Sequence, residues 1–190
     1  MIEAFGRDDW RWINPPREWS MADSGLRAVA DARTDLWRTT HYGFVRDNGH
    51  MFGAPVTGDF RLAVTFDGEY ADQYDQAGAF VRLDETTWIK AGAEFVDGAL
   101  QLSAVVTREL SDWSVMPAPV RAGSLTFGLE RTGDAVTVRY ALGDAEPEQM
   151  LRLAYFPPGV PVLAGAMCAA PDGKGFPVRF ARIDLTESGS

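Results

Sequence analysis

Residues 76–108 read as three consecutive strands whose registers agree, and this agreement constrains the fold more tightly than any other feature of the chain. Strands over 76–83 and 87–95 flank the short loop Asp84-Glu85-Thr86. Folding them back sets Val81 opposite Ile89, Ala79 opposite Ala91 and Ala77 opposite Ala93. An Asp97-Gly98 turn, the residue pair that best suits a two-residue hairpin, returns the chain along 99–108. It sets Ala93 opposite Leu102, Ala91 opposite Ala104 and Ile89 opposite Val106. Strand side chains alternate with period two, so a slip of one residue would turn every one of them over. Both hairpins keep the same residues inside. A Gly133-Asp134 turn repeats the pattern, pairing Leu129 with Val138, Phe127 with Tyr140 and Leu125 with Leu142.

The rest of the chain follows suit. Short alternating or β-branched runs are broken by Gly, Asp, Asn and Pro about every eight to twelve positions, the pattern of an all-β sandwich or barrel. Pro15-Pro16, Pro117 to Pro119 and Pro157-Pro158 read as loops, none long enough to link two domains. The 190 residues are read as one domain spanning 1–190, with 186–190 a polar tail. A chain of this length buries about 70% of its unfolded surface, and 46% hydrophobic residues supply the core. The single cysteine, Cys168, lies in the apolar run Val162 to Cys168 and reads as a buried structural thiol. Met1 to Asp9 shows no basic segment leading into an apolar one, and no apolar run reaches the ~20 residues of a membrane helix. The expected location is cytoplasmic. A net charge of −9 disfavours nucleic acid, whose phosphates call for a basic surface.

Several chemistries are missing. His41 and His50 form no H-E-x-x-H helix and no Cys/His cluster, so neither a metal nor another cofactor is expected. Structural hydrogen bonds in the loop-rich segment Thr34 to Gly53 are the simpler role for them. There is no phosphate-binding glycine loop, dinucleotide fingerprint or serine elbow. Glycoside hydrolysis needs two carboxyl groups ~5–9.5 Å apart. Asp67/Glu69 and Glu146/Glu148 have suitable spacing but read as loop charges. Glu94 has no second acid on its own strand face, and Asp75 is its nearest candidate partner by register.

The second face of the three-strand meander is unusual for a solvent face. Its rows are Gln76, Glu94 and Gln101; Gly78, Gly92 and Ser103; Phe80, Lys90 and Val105; Arg82, Trp88 and Thr107. Adjacent glycines in strands mark the close approach of a ligand or of another backbone, and here they read as a shallow shelf. Lys90 and Glu94 lie about 13 Å apart at ~3.3 Å per residue, room for a sugar-sized molecule, and Trp88 offers a ring on which a sugar can stack. The alternative is that a second sheet, a loop or solvent covers this face. Arg82 over Trp88 is then an ordinary cation–π contact and Lys90 an ion-pair partner.

A set of sequence blocks carries a family resemblance. They are Asn14-Pro15-Pro16 with Trp19, Thr34 to Thr40, Tyr42-Gly43-Phe44, Asp47-Asn48-Gly49-His50 and Tyr74 to Gly78. Trp88 to Glu94, Val105 to Arg108 and Ser111-Asp112-Trp113-Ser114 complete them. In this order the chain resembles the domain-of-unknown-function family labelled "regulation of enolase protein", within the concanavalin A-like lectin/glucanase superfamily. The resemblance implies a jelly-roll sandwich of two antiparallel sheets, one concave, with any sugar site on the concave sheet or its rim. It assigns no reaction and no catalytic residue. The closely spaced acids of the superfamily's glucanases are absent. Asp35, Asn48 and Asp112 read as turn formers, while Trp37 and Trp113 read as rim aromatics or core plugs, with His41, His50 and Arg82 as further rim residues.

Three functional expectations follow. One is a ligand-binding module for a carbohydrate or sugar acid, using Gln76, Gly78, Trp88, Lys90, Gly92, Glu94, Gln101 and Ser103. The second is a regulatory domain whose same face or edge strand docks a protein partner or a second copy. The third is a glycosidase using Glu94 and Asp75.

Overall fold

The structure, a computed structural model, describes residues 1–119 and 123–187. Its strands are β1 (Ile2–Ala4), β2 (Arg7–Ile13), β3 (Trp19–Ala22), β4 (Gly25–Asp31), β5 (Leu36–Arg38) and β6 (Val45–Asp47). Next are β7 (His50–Val56), β8 (Phe60–Gly68), β9 (Gln76–Arg82), β10 (Thr87–Val96), β11 (Ala99–Arg108) and β12 (Leu110–Pro117). The last are β13 (Leu125–Thr132), β14 (Ala135–Leu142), β15 (Gln149–Tyr155), β16 (Val162–Ala169) and β17 (Gly175–Glu187). Among the described residues no helix is long and apolar enough to cross a membrane.

Eight strands form one sheet in the order β1-β2-β7-β16-β9-β10-β11-β12. Seven form the other, in the order β15-β14-β13-β8-β17-β4-β3. The ladders within both are antiparallel. This is the two-sheet β sandwich that the strand pattern and the resemblance imply. The meander register holds at every pair, from Trp88 opposite Arg82 and Thr107 to Glu94 opposite Gln76 and Gln101. The turn between β10 and β11 places Asp97 and Gly98 at φ 52° and 80°, the positive-φ pair that a type I′ hairpin requires. The β13–β14 hairpin likewise pairs Leu125 with Leu142 and Leu129 with Val138.

The core between the sheets buries Ala77, Ala79, Val81, Ile89, Ala91, Ala93, Leu102, Ala104 and Val106 from the meander. Small residues on one sheet leave room for large ones on the other, where Phe66, Phe127 and Phe180 are also buried. Cys168 faces this core, and burial pushes its thiol pKa well up, as suits a structural thiol.

Four readings of the chain are corrected. Asp67 is in β8, opposite Arg179 on β17 and bonded to it at 2.7 Å; alternating strand geometry, rather than a turn, positions it. Asp112 is within β12 and meets Arg152 at 3.0 Å, so it forms no turn. Pro117 ends β12 instead of opening a loop, which an edge strand tolerates because its outward N–H needs no partner. Thr186 and Glu187 belong to β17; positions 188–190 of the expected tail lie outside the described residues.

Candidate functional site

The outer face of the eight-stranded sheet is roofed by the chain itself. β5 and β6 pair only with each other, and their hairpin folds over β9, β10 and β11. Leu36 and Trp37 of the hairpin join Phe80, Trp88, Val105 and Met167 of the sheet in a second buried cluster. The hairpin is tied down at both ends. Ala32 and Ala170 form an isolated parallel bridge, and Asn48 Oδ1 accepts from the Asp35 N–H at 2.9 Å. At the other end Arg82 donates to both oxygens of Asp47, with Nη2–Oδ2 at 2.7 Å.

This roof overturns part of the expected site. Trp88 is 3% exposed within the second cluster and offers no open ring. Its cation neighbour is Lys90, 5.9 Å from the ring centroid, because Arg82 is drawn to Asp47. The glycine shelf is closed as well. A Cβ on Gly78 would lie 2.1 Å from the Ala91 carbonyl oxygen, and one on Gly92 2.0 Å from that of Ala77. The close approach that these glycines permit is between neighbouring strands. Above Gly92 remains a void of about 10 Å³, one water's worth. Gln101 is half-buried and lines neither space.

What stays open is a cavity of about 150 Å³ at the Glu94 end of the meander. Lys90, Glu94 and Val105 reach it from the sheet, Trp113 from β12, and Trp37, Tyr42, Phe44 and Arg46 from the hairpin. Asp35 precedes the hairpin, and Tyr74, Pro171 and Asp172 close the side. Lys90 and Glu94 are only 5% and 6% exposed. Lys90 Nζ donates to Gln76 Oε1 at 2.6 Å and lies 3.5 Å from Asp35 Oδ1. Glu94 Oε2 accepts from Trp113 Nε1 at 2.9 Å, and the same N–H is 3.1 Å from Ser103 Oγ. Burial pushes the Glu94 carboxyl above the usual range, with Lys90, Ser103 and Trp113 partly opposing the shift. Tyr42 and Tyr74 join their hydroxyls at 3.2 Å between the hairpin and the turn before β9. That bond, with burial second, pushes the Tyr42 hydroxyl up to about 12.

The remaining expected residues divide. Trp37 and Trp113 are walls; Trp37 is buried with its Nε1 on Thr40 O, and Trp113 is half-buried. Gln76 and Ser103 act through Lys90 and Trp113. His41 is exposed at the hairpin tip, edge-on to Tyr42 at 4.8 Å, and does not line the cavity. His50 is no rim residue. It is buried in β7, its Nδ1 donating to Asn14 O at 2.6 Å and its Nε2 accepting from Asp31 N at 2.9 Å. The proposed acid pair dissolves too. Asp75 is 1% exposed, and its Oδ2 accepts from the Ala71 and Asp72 N–H groups at 3.0 and 2.9 Å, so it shapes the loop before β9 and does not line the cavity. Asp35, read as a turn former, does bond the Leu36 N–H at 2.7 Å, yet it also supplies a carboxylate to the site. Sequence reasoning missed Tyr42, Phe44, Arg46, Tyr74 and Asp172. The aromatic density of Trp37, Tyr42 and Phe44 between two short strands was the available signal.

A larger depression of about 720 Å³ lies on the outer face of the seven-stranded sheet, around Trp19, Arg27 and Arg179. It is the weaker candidate, because it is shallow and its Arg179 already pairs with Asp67. The buried charged side chains Asp35, Lys90 and Glu94 converge on the smaller cavity, the mark of a candidate site.

A family model described as "Protein of unknown function (DUF1349)" matches residues 12–188. Regulation of enolase protein 1 of Saccharomyces cerevisiae is 36% identical over 176 residues, covering 92% of this chain and 88% of that protein. A crystal structure of a functionally unknown protein from Saccharomyces cerevisiae superposes with a TM-score of 0.90 at 32% identity, covering 96% of this chain and 98% of that one. The GH43 protein BlXynB of Bacillus licheniformis shares the fold at TM-score 0.68 and 15% identity, over 93% of this chain and 36% of its own. An alginate lyase from Klebsiella pneumoniae does so at TM-score 0.57 and 12% identity, over 90% of this chain and 84% of its own. The match across nearly the whole chain settles the family: this protein belongs to DUF1349.

Proposed function

We propose that the cavity under the β5–β6 hairpin binds one small, hydroxyl-rich ligand of carbohydrate type and does not turn it over. The observation that carries this reading is Glu94, a buried carboxylate with one oxygen held by Trp113 and the other, Oε1, with no hydrogen-bond partner among the described residues. Among the described residues Asp35 Oδ2 has none either, whereas two acceptors already engage Lys90. The buried acceptors facing the cavity favour a ligand that donates hydrogen bonds, while the half-buried Arg46 lines the same space as a donor. A sugar acid would add a carboxylate to a cavity already lined by three, Asp35, Glu94 and Asp172, against the two cations Lys90 and Arg46. Aromatic side chains supply apolar walls against which the C–H faces of a sugar pack. A volume of about 150 Å³ is below the ~300–1,000 Å³ of drug-sized sites, so the bound part is a single small unit. With Asp35 committed to Lys90 and Asp172 exposed, the described residues that line the cavity leave Glu94 without a second buried, uncommitted carboxyl as catalytic partner. The GH43 and alginate lyase neighbours place carbohydrates first on the panel by fold analogy alone.

The test is a thermal-shift and calorimetry panel of monosaccharides, with Lys90→Ala and Glu94→Ala as controls that stay folded. A rise in melting temperature with at least one sugar, lost in both variants, is the expected result. No response to any member would overturn the reading.

A second reading, a protein-interaction surface, rests on a different place. It is not the glycine shelf, which the strands themselves close. Leu110, Val115 and Met116 on β12 and Met150, Leu153 and Tyr155 on β15 are all exposed, and both strands are sheet edges. Exposed apolar edges of this kind serve association. A monomeric mass at micromolar concentration would exclude the homo-oligomeric version.

A further inference from the structure

Resting on the ligand site assigned above, we infer that its occupant carries a positively charged amine, as in an amino sugar or a comparable small ammonium ion, seated against Glu94 between the aromatic walls. The charge balance is the first reason. Five charged side chains line the cavity: the carboxylates Asp35, Glu94 and Asp172, and the cations Lys90 and Arg46. Lys90 is matched by Asp35, and the Arg46 guanidinium lies 4.7 Å from the centroid of the Phe44 ring. Among the described residues Glu94 has no cationic nitrogen within 4.0 Å. A carboxylate that is 6% exposed and lacks an ion partner is costly, and a cation at its free Oε1 would relieve that cost.

The second reason is the enclosure. Trp37 and Tyr42 meet at 71° with centroids 5.6 Å apart, and Tyr74 and Trp113 at 78° and 6.2 Å. Two near-perpendicular ring pairs therefore border one small space. Rings around an ammonium attract it through their quadrupoles, and the effect strengthens when the cation is desolvated. The fields of Glu94 and Asp172 both reach the Tyr42 hydroxyl, adding to the upward shift led by its bond to Tyr74. Glu94 and Asp172 thus border the same part of the cavity as Tyr42.

Calorimetry on the full chain near neutral pH and at low salt separates the alternatives, using matched probes. These are glucosamine against glucose, N-acetylglucosamine and glucuronate, with tetramethylammonium as a cation lacking hydroxyls. Glucosamine is expected to bind about tenfold more tightly than glucose or the N-acetylated sugar, with glucuronate weakest. Glu94→Gln, checked for folding by circular dichroism, should level that preference. Asp172→Asn, a change at an exposed position, should reduce it about twofold. Equal binding of glucose and glucosamine would overturn the amine while leaving the carbohydrate site standing. Binding of tetramethylammonium without any sugar would support the charge inference and overturn the carbohydrate reading. No binding by any probe would overturn both.

Discussion

The two faces of the β9–β10–β11 meander are made from the same strands, yet only one of them is explained by those strands. On the inner face, Ala77, Ala79, Val81 and their partners meet the opposite sheet in the register that the turns impose. On the outer face, what each residue does is decided by the segment 35–47, whose contacts there span 35 to 55 positions of sequence. Arg82 meets Asp47, Lys90 meets Asp35, and Trp88 is covered by the hairpin's cluster. Local pairing decides where a side chain points. It does not decide what arrives above it.

The strongest way to break this contrast is to place side chains where strands touch. Gly92→Val would set its Cβ against the Ala77 carbonyl, at about 2.0 Å before relaxation. A destabilisation of about 3 kcal/mol is expected in urea unfolding. A variant as stable as the parent would show that these glycines serve something other than strand approach, and would return the shelf to consideration.

Next in size is the hairpin's anchor. Asp47→Ala leaves Arg82, a 10% exposed side chain, without its carboxylate, at a cost of about 2 kcal/mol. Because the loss falls on the roof, limited proteolysis should open the tip, 39–43, before the sandwich unfolds. Cleavage elsewhere first would mean that the roof and the inner core unfold as one unit.

Glu94 sharpens the contrast through pH. Its carboxyl titrates above the usual range because of burial, so the folded state holds this proton more tightly than the unfolded chain does. The stability this group contributes is complete below the ordinary carboxylate range and is lost as pH rises through the raised folded value. Glu94→Gln removes that loss. It should therefore be more stable than the parent near neutral pH in urea unfolding, with the gain vanishing near pH 4. A residue whose removal stabilises the fold is held for another purpose, as functional sites commonly show.

How far sequence led can be traced in individual residues. The hairpins were legible because period-two alternation and the Asp97-Gly98 and Gly133-Asp134 turns fix pairing within a few residues. Lys90 and Glu94 were legible as outward polar groups on that register. Their partners were not, since Asp35, Tyr42 and Asp172 come from loops whose approach depends on tertiary packing. Asp75 and Glu94 looked adjacent by register, but the Ala71 and Asp72 N–H groups claim Asp75. The roof itself leaves only a faint trace, because two strands of three residues, β5 and β6, are too short to show periodicity.

The smallest expected effect tests where the roof begins. His50 stands at the start of β7, bridging Asn14 O and the Asp31 N–H. Burial lowers its pKa from the ordinary 6.5, against the raising influence of the Asn14 bond and of Asp31. Here the sign is opposite to that of Glu94. The unfolded chain takes up this proton first, so the stability His50 contributes is present above its unfolded value and is lost as pH falls toward the folded one. Between pH 7 and 5 the parent should therefore lose stability that His50→Gln does not, as read from urea midpoints. Protonation would also convert Nε2 from acceptor to donor, and the Asp31 N–H it now accepts would have to find another partner. Asp31 ends the strand that leads toward Ala32 and the hairpin, so amide exchange over 31–37 should quicken before that of β9–β11. Uniform quickening would show that acid loosens the roof and the meander together, and the two faces would then differ in partners but not in stability.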